Sequence, residues 1–500
     1  MRICYTCDTH GYIFPTNFYK KSSNIDMGLL KLARKFNKDK DTLVIDGGDT
    51  LQGSPLTHYM SKSSAKPIAE FMNLCGYDYV AAGNHDFNYG IDYLSEYINN
   101  LKATCLCANI KDHDNNLSFK PYVIHTMPNG LKIGILGLCT HHVKFWEKPD
   151  TVKKLSISNP IESIDKYLPI LKRESDITIC LYHGGIEIDT TTMKPLDNGS
   201  DENQGYLIAT KYDFDLVLSA HQHIDFEGRL GNSYVVQNRE NAQSFVEINI
   251  NIDGSKKVIS SERKYPDMPF IKDLAEPLNK IYNDVENWLD SPLGELSTEL
   301  KAGDPLQNAI NGSLIANFIN QIQLEFSKAD ISACSLANEV MGFNKVVSVR
   351  DVLNTYKFSN TLCVLSISGK ILKEYMEQTA SYFCLKNGEI SVSEGFVKPK
   401  LAHYNYDYFY NMDYGFDITK PVGERVVKLQ YQNKDILPDD TLSIVVNSYR
   451  ASGTGGYDML KNLPHIKEIQ EEVSGLIIQA LEESKYFEVD THIPFKVKSR

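Results

Sequence analysis

The sequence has no uninterrupted apolar run approaching the ~20 residues that span a bilayer. Its 42% hydrophobic and 23% charged residues are ordinary for a globular protein, so a soluble chain with no membrane partner is expected. It also lacks a basic surplus: 52 Lys and Arg stand against 64 Asp and Glu, a formal charge of -12. Proteins that grip a nucleic-acid polymer rely on clustered Lys and Arg, so no such polymer is expected here. A small anionic substrate held by metal stays open. The start Met1-Arg2-Ile3-Cys4 is in a strand-like run by Tyr5 and has no basic stretch, apolar core and cleavage site of an export leader. The ten cysteines are scattered from Cys4 to Cys384 without disulfide-framework spacing, which predicts reduced thiols and a cytoplasmic location. Cys4-Tyr5-Thr6-Cys7 has redox or zinc-ribbon spacing, but no second Cys pair accompanies it. Repeats and low-complexity segments are missing as well.

What is present is an alternation. At 500 residues two or three domains are expected, because one core rarely grows past about 250 to 300 residues. Short apolar runs at 3–6, 42–45, 79–82, 133–138, 177–181, 216–218 and 234–237 alternate with amphipathic stretches, the pattern of an α/β domain. A strand-like 245–252, a turn at 253–255 and a polar stretch to Phe270 follow. Leu274, Leu278, Ile281, Val285 and Leu289 then recur at helical spacing before Pro292, which predicts a connecting helix. The remainder is a second mixed α/β region, tyrosine-rich from Tyr404 to Tyr414 and helical in periodicity over 466–481. The expected division is 1–255, a connecting segment 256–292, and 293–500.

Metal-competent residues follow the carboxyl ends of five of the apolar runs: Asp8 and His10; Asp46 and Asp49; Asn84, His85 and Asp86; His183; His221 and His223. Ligands in open α/β sheets bind just beyond strand carboxyl ends, so chain-distant clusters there converge. The mixture of carboxylate, amide and imidazole suits zinc, manganese, iron or cobalt better than magnesium, calcium or a thiolate zinc site. Six or more ligands exceed the needs of one tetrahedral ion. Two divalent ions sharing a carboxylate would use them all, and that arrangement clamps both oxygens of a phosphoester displacement. Taken singly, each residue has a plainer reading. Asp46 is read as bracing its turn, Asp86 as support, His58 as a helix residue, and His141-His142 is left unassigned.

Asp8-Thr9-His10, Gly48-Asp49, Gly83-Asn84-His85-Asp86, His183-Gly184-Gly185 and His221-Gln222-His223 together resemble the ordered motif set of calcineurin-like metallophosphoesterases. GDTLQGSPL from Gly48 and GNHDFNYG from Gly83 resemble its 5'-nucleotidase superfamily, over nearly the whole chain. The resemblance implies a four-layer α/β/β/α sandwich joined by a helix to a mixed α/β nucleotidase C-terminal domain. It implies that Asp8, His10, Asp49 and His223 hold one ion. Asp49 bridges to a second held by Asn84, His183 and His221, and His85 stabilises the pentacovalent phosphate. Ala220, where the family usually has glycine, is a small departure. The resemblance also gives the second domain the task of recognising a nucleotide, through a loop at 403–417 and another at 448–457. Tyr406 and Tyr449 are expected to sandwich the base, with Tyr404 the fallback, and Asn338 and Gly453 to contact substrate.

The 5'-nucleotidase branch usually has Asp three residues after the catalytic His; here that place is Asn88. Arginines that hold the nucleotide's phosphate or carboxylate end there are missing from 305–312 and 338–349. Asn88, Asn405-Tyr406-Asp407 and the Tyr-Arg-Ala-Ser-Gly run from Tyr449 instead resemble the 2',3'-cyclic-nucleotide 2'-phosphodiesterase/3'-nucleotidase branch. That activity, on a small nucleotide, is expected first. A 5'-nucleotidase or UDP-sugar hydrolase is the alternative, and a non-enzymatic nucleotide-binding protein is disfavoured because the metal set and His85 are intact.

Overall fold

A computed structural model describes residues 1–194, 196, 201–253, 256–267, 276–358, 360–398, 401–469 and 471–499. The chain forms two compact units, Met1–Glu286 and Asn287–Arg500.

In the first unit the apolar runs become strands of two six-stranded sheets. One sheet runs, in spatial order, Lys256–Lys264, Phe245–Asp253, Arg2–Thr6, Thr42–Asp46, Tyr79–Ala81 and Thr104–Leu106. The other runs Phe226–Leu230, Ser233–Gln237, Leu216–Ser219, Ile177–His183, Lys132–Cys139 and Tyr122–Thr126. Side chains alternate across a strand, and the alternation shows why both faces had to be apolar. Ile3, Tyr5, Leu43 and Ile45 share one core with Ile133, Ile135, Ile177, Ile179 and Leu218 of the other sheet. Cys4, between Ile3 and Tyr5, turns away and donates to the Phe36 carbonyl. On the far side of the second sheet, Leu136, Leu138, Cys180 and Tyr182 pack with Ile164, Leu168 and Leu171 of helix Pro160–Glu174. The result is the expected sandwich.

Three expectations shift. Strand Lys256–Lys264 pairs with Phe245–Asp253 from Asp253↔Lys256 to Phe245↔Lys264, so the first unit continues past residue 255. The turn read at 253–255 lies partly outside the described residues. The connecting helix is Glu276–Leu289, and the chain passes from one unit to the next between Glu286 and Asn287, within its span; Leu274 lies outside the described residues. The periodicity over 466–481 splits: His465–Ile469 is a strand antiparallel to Leu362–Ser368, and only Val473–Ser484 is helix.

The second unit is built on a five-stranded sheet in the order Asp407–Tyr410, Ile331–Ser335, Thr441–Asn447, Leu362–Ser368, His465–Ile469. Helix Leu314–Ser327 buries Ile315, Phe318, Ile319 and Ile322. The tyrosine-rich segment opens with the short turn His403–Asn405 and becomes an edge strand. All ten cysteines are free thiols. Among the described residues no helix is long and apolar enough to cross a membrane.

Candidate functional site

The loops that leave the strand ends of the first unit are held in conformations the chain normally avoids. Asp8, His10, Asp49, His221 and His223 have φ of 50, 49, 58, 77 and 58°, a region that costs a non-glycine residue about 1 to 3 kcal/mol. Loop-to-loop hydrogen bonds hold that strain: Asp8 N–H donates to Gly48 O at 2.9 Å and His10 N–H to Asp49 O at 2.8 Å. Close approach explains one glycine. A Cβ on Gly83 would lie 2.2 Å from Asp49 Oδ1.

These loops gather Asp8, His10 and His223 so that one ligand atom of each lies within 4.8 Å of the others, and gather Asp49, His183 and His221 likewise. The ring tautomers follow from partners that can only accept. His183 Nδ1 is 2.8 Å from the Gly47 carbonyl and His10 Nδ1 is 2.8 Å from the Gln52 carbonyl, so each Nδ1 carries the proton and each Nε2 is bare. His221 Nε2 lies 2.9 Å from Glu202 Oε1, which leaves Nδ1 as its ligating atom.

The bare His183 Nε2 is then 3.2 Å from Asp49 Oδ2 and 3.1 Å from Asn84 Oδ1. Asp49 Oδ2 is buried and finds no hydrogen-bond donor. Three acceptors so placed are suited to sharing a cation. A proton serves in the metal-free chain: burial opposes charge on His183, but the Asp49 carboxylate prevails and pushes its pKa up to about 10. Burial likewise acts against the Asp49 carboxylate, yet His183 and His85 hold its pKa well below the usual range. Burial pushes His10 down to about 4, a neutral imidazole ready to ligate. The donor set therefore fits divalent metal ions.

Around the ligands lies a shell of support. Asp86 accepts from the backbone N–H groups of Asp49, Thr50, Leu51 and Gly83 at 2.8–3.1 Å, clamping two of the loops together. Asp46 accepts from the Thr6 hydroxyl and the Gly48 N–H, and burial pushes its pKa up to about 7. Ala220 keeps φ out of the positive region, so this departure from glycine strains nothing. His58 lies on helix Pro55–Ser61. His141 and His142 share Asp201 at 3.1 and 2.8 Å.

His85 stands beside the cluster, its ring 5.6 Å from that of His10. Its Nδ1 is 2.8 Å from Asn88 Oδ1, and Asn88 Nδ2 donates to Glu147. Glu147, Glu202 and Trp146, which stacks on His221 at 5.5 Å and 23°, were missed by sequence reasoning. Only Trp146 left a signal, the aromatic pair of HHVKFWE soon after strand Lys132–Cys139; Glu147 and Glu202 left none.

In the second unit the structure corrects the expected sandwich. Tyr406 is 2% exposed, its ring is packed by Tyr382, Phe383 and Tyr408 at 4.9 to 5.6 Å, and its hydroxyl donates to the Ala309 carbonyl. So little of the ring is exposed that neither face is open for stacking a base, and what remains borders a cavity beside Asn338. The turn at His403–Asn405 brings Tyr404 and Tyr449 together instead, 6.5 Å apart, with Phe358 6.4 Å from Tyr404. Arg450 ties the two loops. Buried at 1% exposure, it pairs with Asp407 at 2.6 Å, donates to the carbonyls of Tyr404 and Thr454, and lies over the Tyr457 ring. Gly453 holds the turn after it at φ 85°. Asn338 pins the neighbouring segment, donating to Leu401 O and accepting from His403 N–H. It also lines a cavity of about 270 Å³ with Tyr382, His403, Tyr406 and Tyr408.

Comparison with known proteins follows this geometry. Residues 1–225 match the calcineurin-like phosphoesterase family and residues 293–462 the 5'-nucleotidase C-terminal domain. A solved Staphylococcus aureus protein, provisionally named a 5'-nucleotidase and bound to alpha-ketoglutarate, is 33% identical with a TM-score of 0.84, covering 100% of both chains. The 2',3'-cyclic-nucleotide 2'-phosphodiesterase/3'-nucleotidase of Salmonella typhimurium is 24% identical over 91% of this chain and 81% of its own. The trifunctional nucleotide phosphoesterase YfkN of Bacillus subtilis is 24% identical over 92% of this chain, which spans 36% of that relative's length.

Proposed function

Because this chain belongs to the calcineurin-like phosphoesterases that carry a 5'-nucleotidase C-terminal domain, and is thereby a phosphoester hydrolase, we propose that it acts as a 2',3'-cyclic-nucleotide 2'-phosphodiesterase/3'-nucleotidase. The observation that carries the choice of branch is the fate of the arginines. Among the described residues the second unit has three. Arg350 pairs with Asp290, Arg425 is spent on the carbonyls of Lys420, Ala380 and Phe383, and Arg450 is buried on Asp407. All three are at most 8% exposed. None of the three is placed to give the anionic end of a nucleotide the bidentate grip that arginine provides; a domain that receives a base and ribose has no need of one.

In this reading Asp8, His10, Asp49 and His223 hold one divalent ion, and Asp49, Asn84, His183 and His221 the other. Such a pair supplies Lewis acidity toward the phosphoryl oxygens and a more acidic attacking water. His85 turns Nε2 toward a phosphoryl oxygen while Asn88 holds Nδ1. Tyr404 and Tyr449 offer ring faces to the base.

On enzyme reconstituted with zinc or manganese, kcat/KM for 2',3'-cyclic AMP and 3'-AMP should exceed that for 5'-AMP and UDP-glucose by at least about tenfold, some 1.4 kcal/mol of transition-state discrimination. A preference for 5'-AMP or the UDP-sugar would assign the chain to the other branch.

Truncating the stacking rings should act on binding. Tyr404→Ala and Tyr449→Ala should each weaken nucleotide binding by about 1 to 3 kcal/mol, seen mainly as a raised KM. Phe at either position should cost little, and bis(p-nitrophenyl) phosphate, which has no base, should be hydrolysed almost as before. Parallel loss on both substrates would show that the tyrosines support the fold instead.

A further inference from the structure

His85 rests on an amide, and an amide side chain has two ends of nearly the same shape, one accepting and one donating. Only with Oδ1 toward the ring can Asn88 accept from Nδ1–H in both the neutral and the doubly protonated imidazole, so that Nε2 can take up the proton it offers to substrate. The flipped amide would aim an N–H at Nδ1, confine the neutral ring's proton to Nε2 and oppose the doubly protonated form. Something must choose between the two, and Asn88 Nδ2 donates to Glu147 Oε1. A carboxylate accepts and does not donate, so it accommodates one orientation of the amide and rejects the other.

Glu147 is placed for this. It caps helix Val143–Trp146, its backbone N–H bonded to the Val143 carbonyl at 3.0 Å, and it is 6% exposed. A buried acid is costly unless a partner stabilises it, and the half-buried Asn88 amide is that partner. Its neighbour in the helix, Trp146, lies against His221, so the turn is fixed to the ligand cluster from a second side.

We propose that Glu147 is the positioning residue of the catalytic imidazole: through Asn88 it fixes the tautomer and orientation of His85. The inference rests on the reading of His85 as the group that meets the phosphate. It makes a specific claim, that amide and carboxylate act as an ordered pair. Asn88→Asp alone sets two carboxylates against each other, and like charges in contact oppose ionisation of both. Asn88→Asp with Glu147→Gln restores a donor facing an acceptor and still presents an oxygen to Nδ1–H.

The test is the double-mutant cycle on bis(p-nitrophenyl) phosphate, together with metal content and the ¹⁵N shifts of the His85 ring. Asn88→Asp should lower kcat at least about tenfold with KM and metals little changed, and the double variant should return to within about threefold of wild type. Glu147→Leu should turn the single Nδ1–H ring signal into a tautomer mixture whether or not the enzyme turns over. The proposal is overturned if Asn88→Asp is equally harmful with and without Glu147→Gln, if it is harmless beside the native Glu147, or if Glu147→Leu leaves the ring pure Nδ1–H. Wild-type enzyme inactive on this ester while its ring signal responds as described would instead count against the role of His85.

Discussion

Asp49→Ala should strip the protein of more metal than any other single ligand change, leaving well under one ion per chain by elemental analysis, whereas His223→Ala should keep about one. Asp49 is 1% exposed, its Oδ2 lies 3.2 Å from His183 Nε2, and its Oδ1 accepts the His85 backbone N–H at 2.7 Å. Asp49 is grouped with His183 and His221; in the proposed bridging role its loss would unmake that site and also remove a ligand from the other. His223 is 39% exposed in its side chain and serves one cluster only. Even a supporting residue of a metal site is worth about 10- to 100-fold in affinity, and a shared ligand should exceed that. Asp49→Asn controls for the backbone, since Asn tolerates the φ of 58°. Loading should also release about one proton near neutral pH, because His183, pushed up to about 10 beside Asp49, gives up its proton to ligate. Full metal content in Asp49→Ala would end the bridging assignment.

The metal loops were legible because two independent signals coincide in them: an apolar run that must be a strand, and a metal-competent residue directly after it. The sandwich follows from the same runs, since strands apolar on both faces need cover on both sides. Strand Lys256–Lys264 was not legible, because an edge strand reading KKVISSERK has too few apolar residues to announce itself. The C-terminal misreading has a different cause. Ile466 sits at helical spacing from the helix that follows, but Leu362–Ser368 needs an antiparallel neighbour and takes His465–Ile469. Tyr404 and Tyr406 cannot be ranked by pattern, for the turn at His403–Asn405 decides which ring is open. Glu147 was beyond reach from sequence. It lies 59 residues from Asn88, and an acid after a tryptophan carries no spacing that betrays its partner.

His85→Asn should leave both ions in place and lower kcat by about a hundredfold or more, the range seen when one donor to a developing oxyanion is removed. The geometry separates this residue from the ligands. His10, His183 and His221 each spend one ring nitrogen on a carbonyl or carboxylate and turn the other into the cluster. His85 spends Nδ1 on Asn88, and among the described residues neither three-ligand group includes it. What the ring offers in its protonated form is therefore a hydrogen bond from Nε2–H to the reacting phosphoryl group rather than a lone pair to metal. Such a bond strengthens as negative charge builds in the transition state, so deleting it falls on kcat and leaves KM nearly as it was. Asn at 85 keeps a polar side chain and the backbone N–H that Asp49 Oδ1 accepts, so the metal loops should hold their shape. Loss of an ion together with a large rise in KM would identify His85 as a ligand instead.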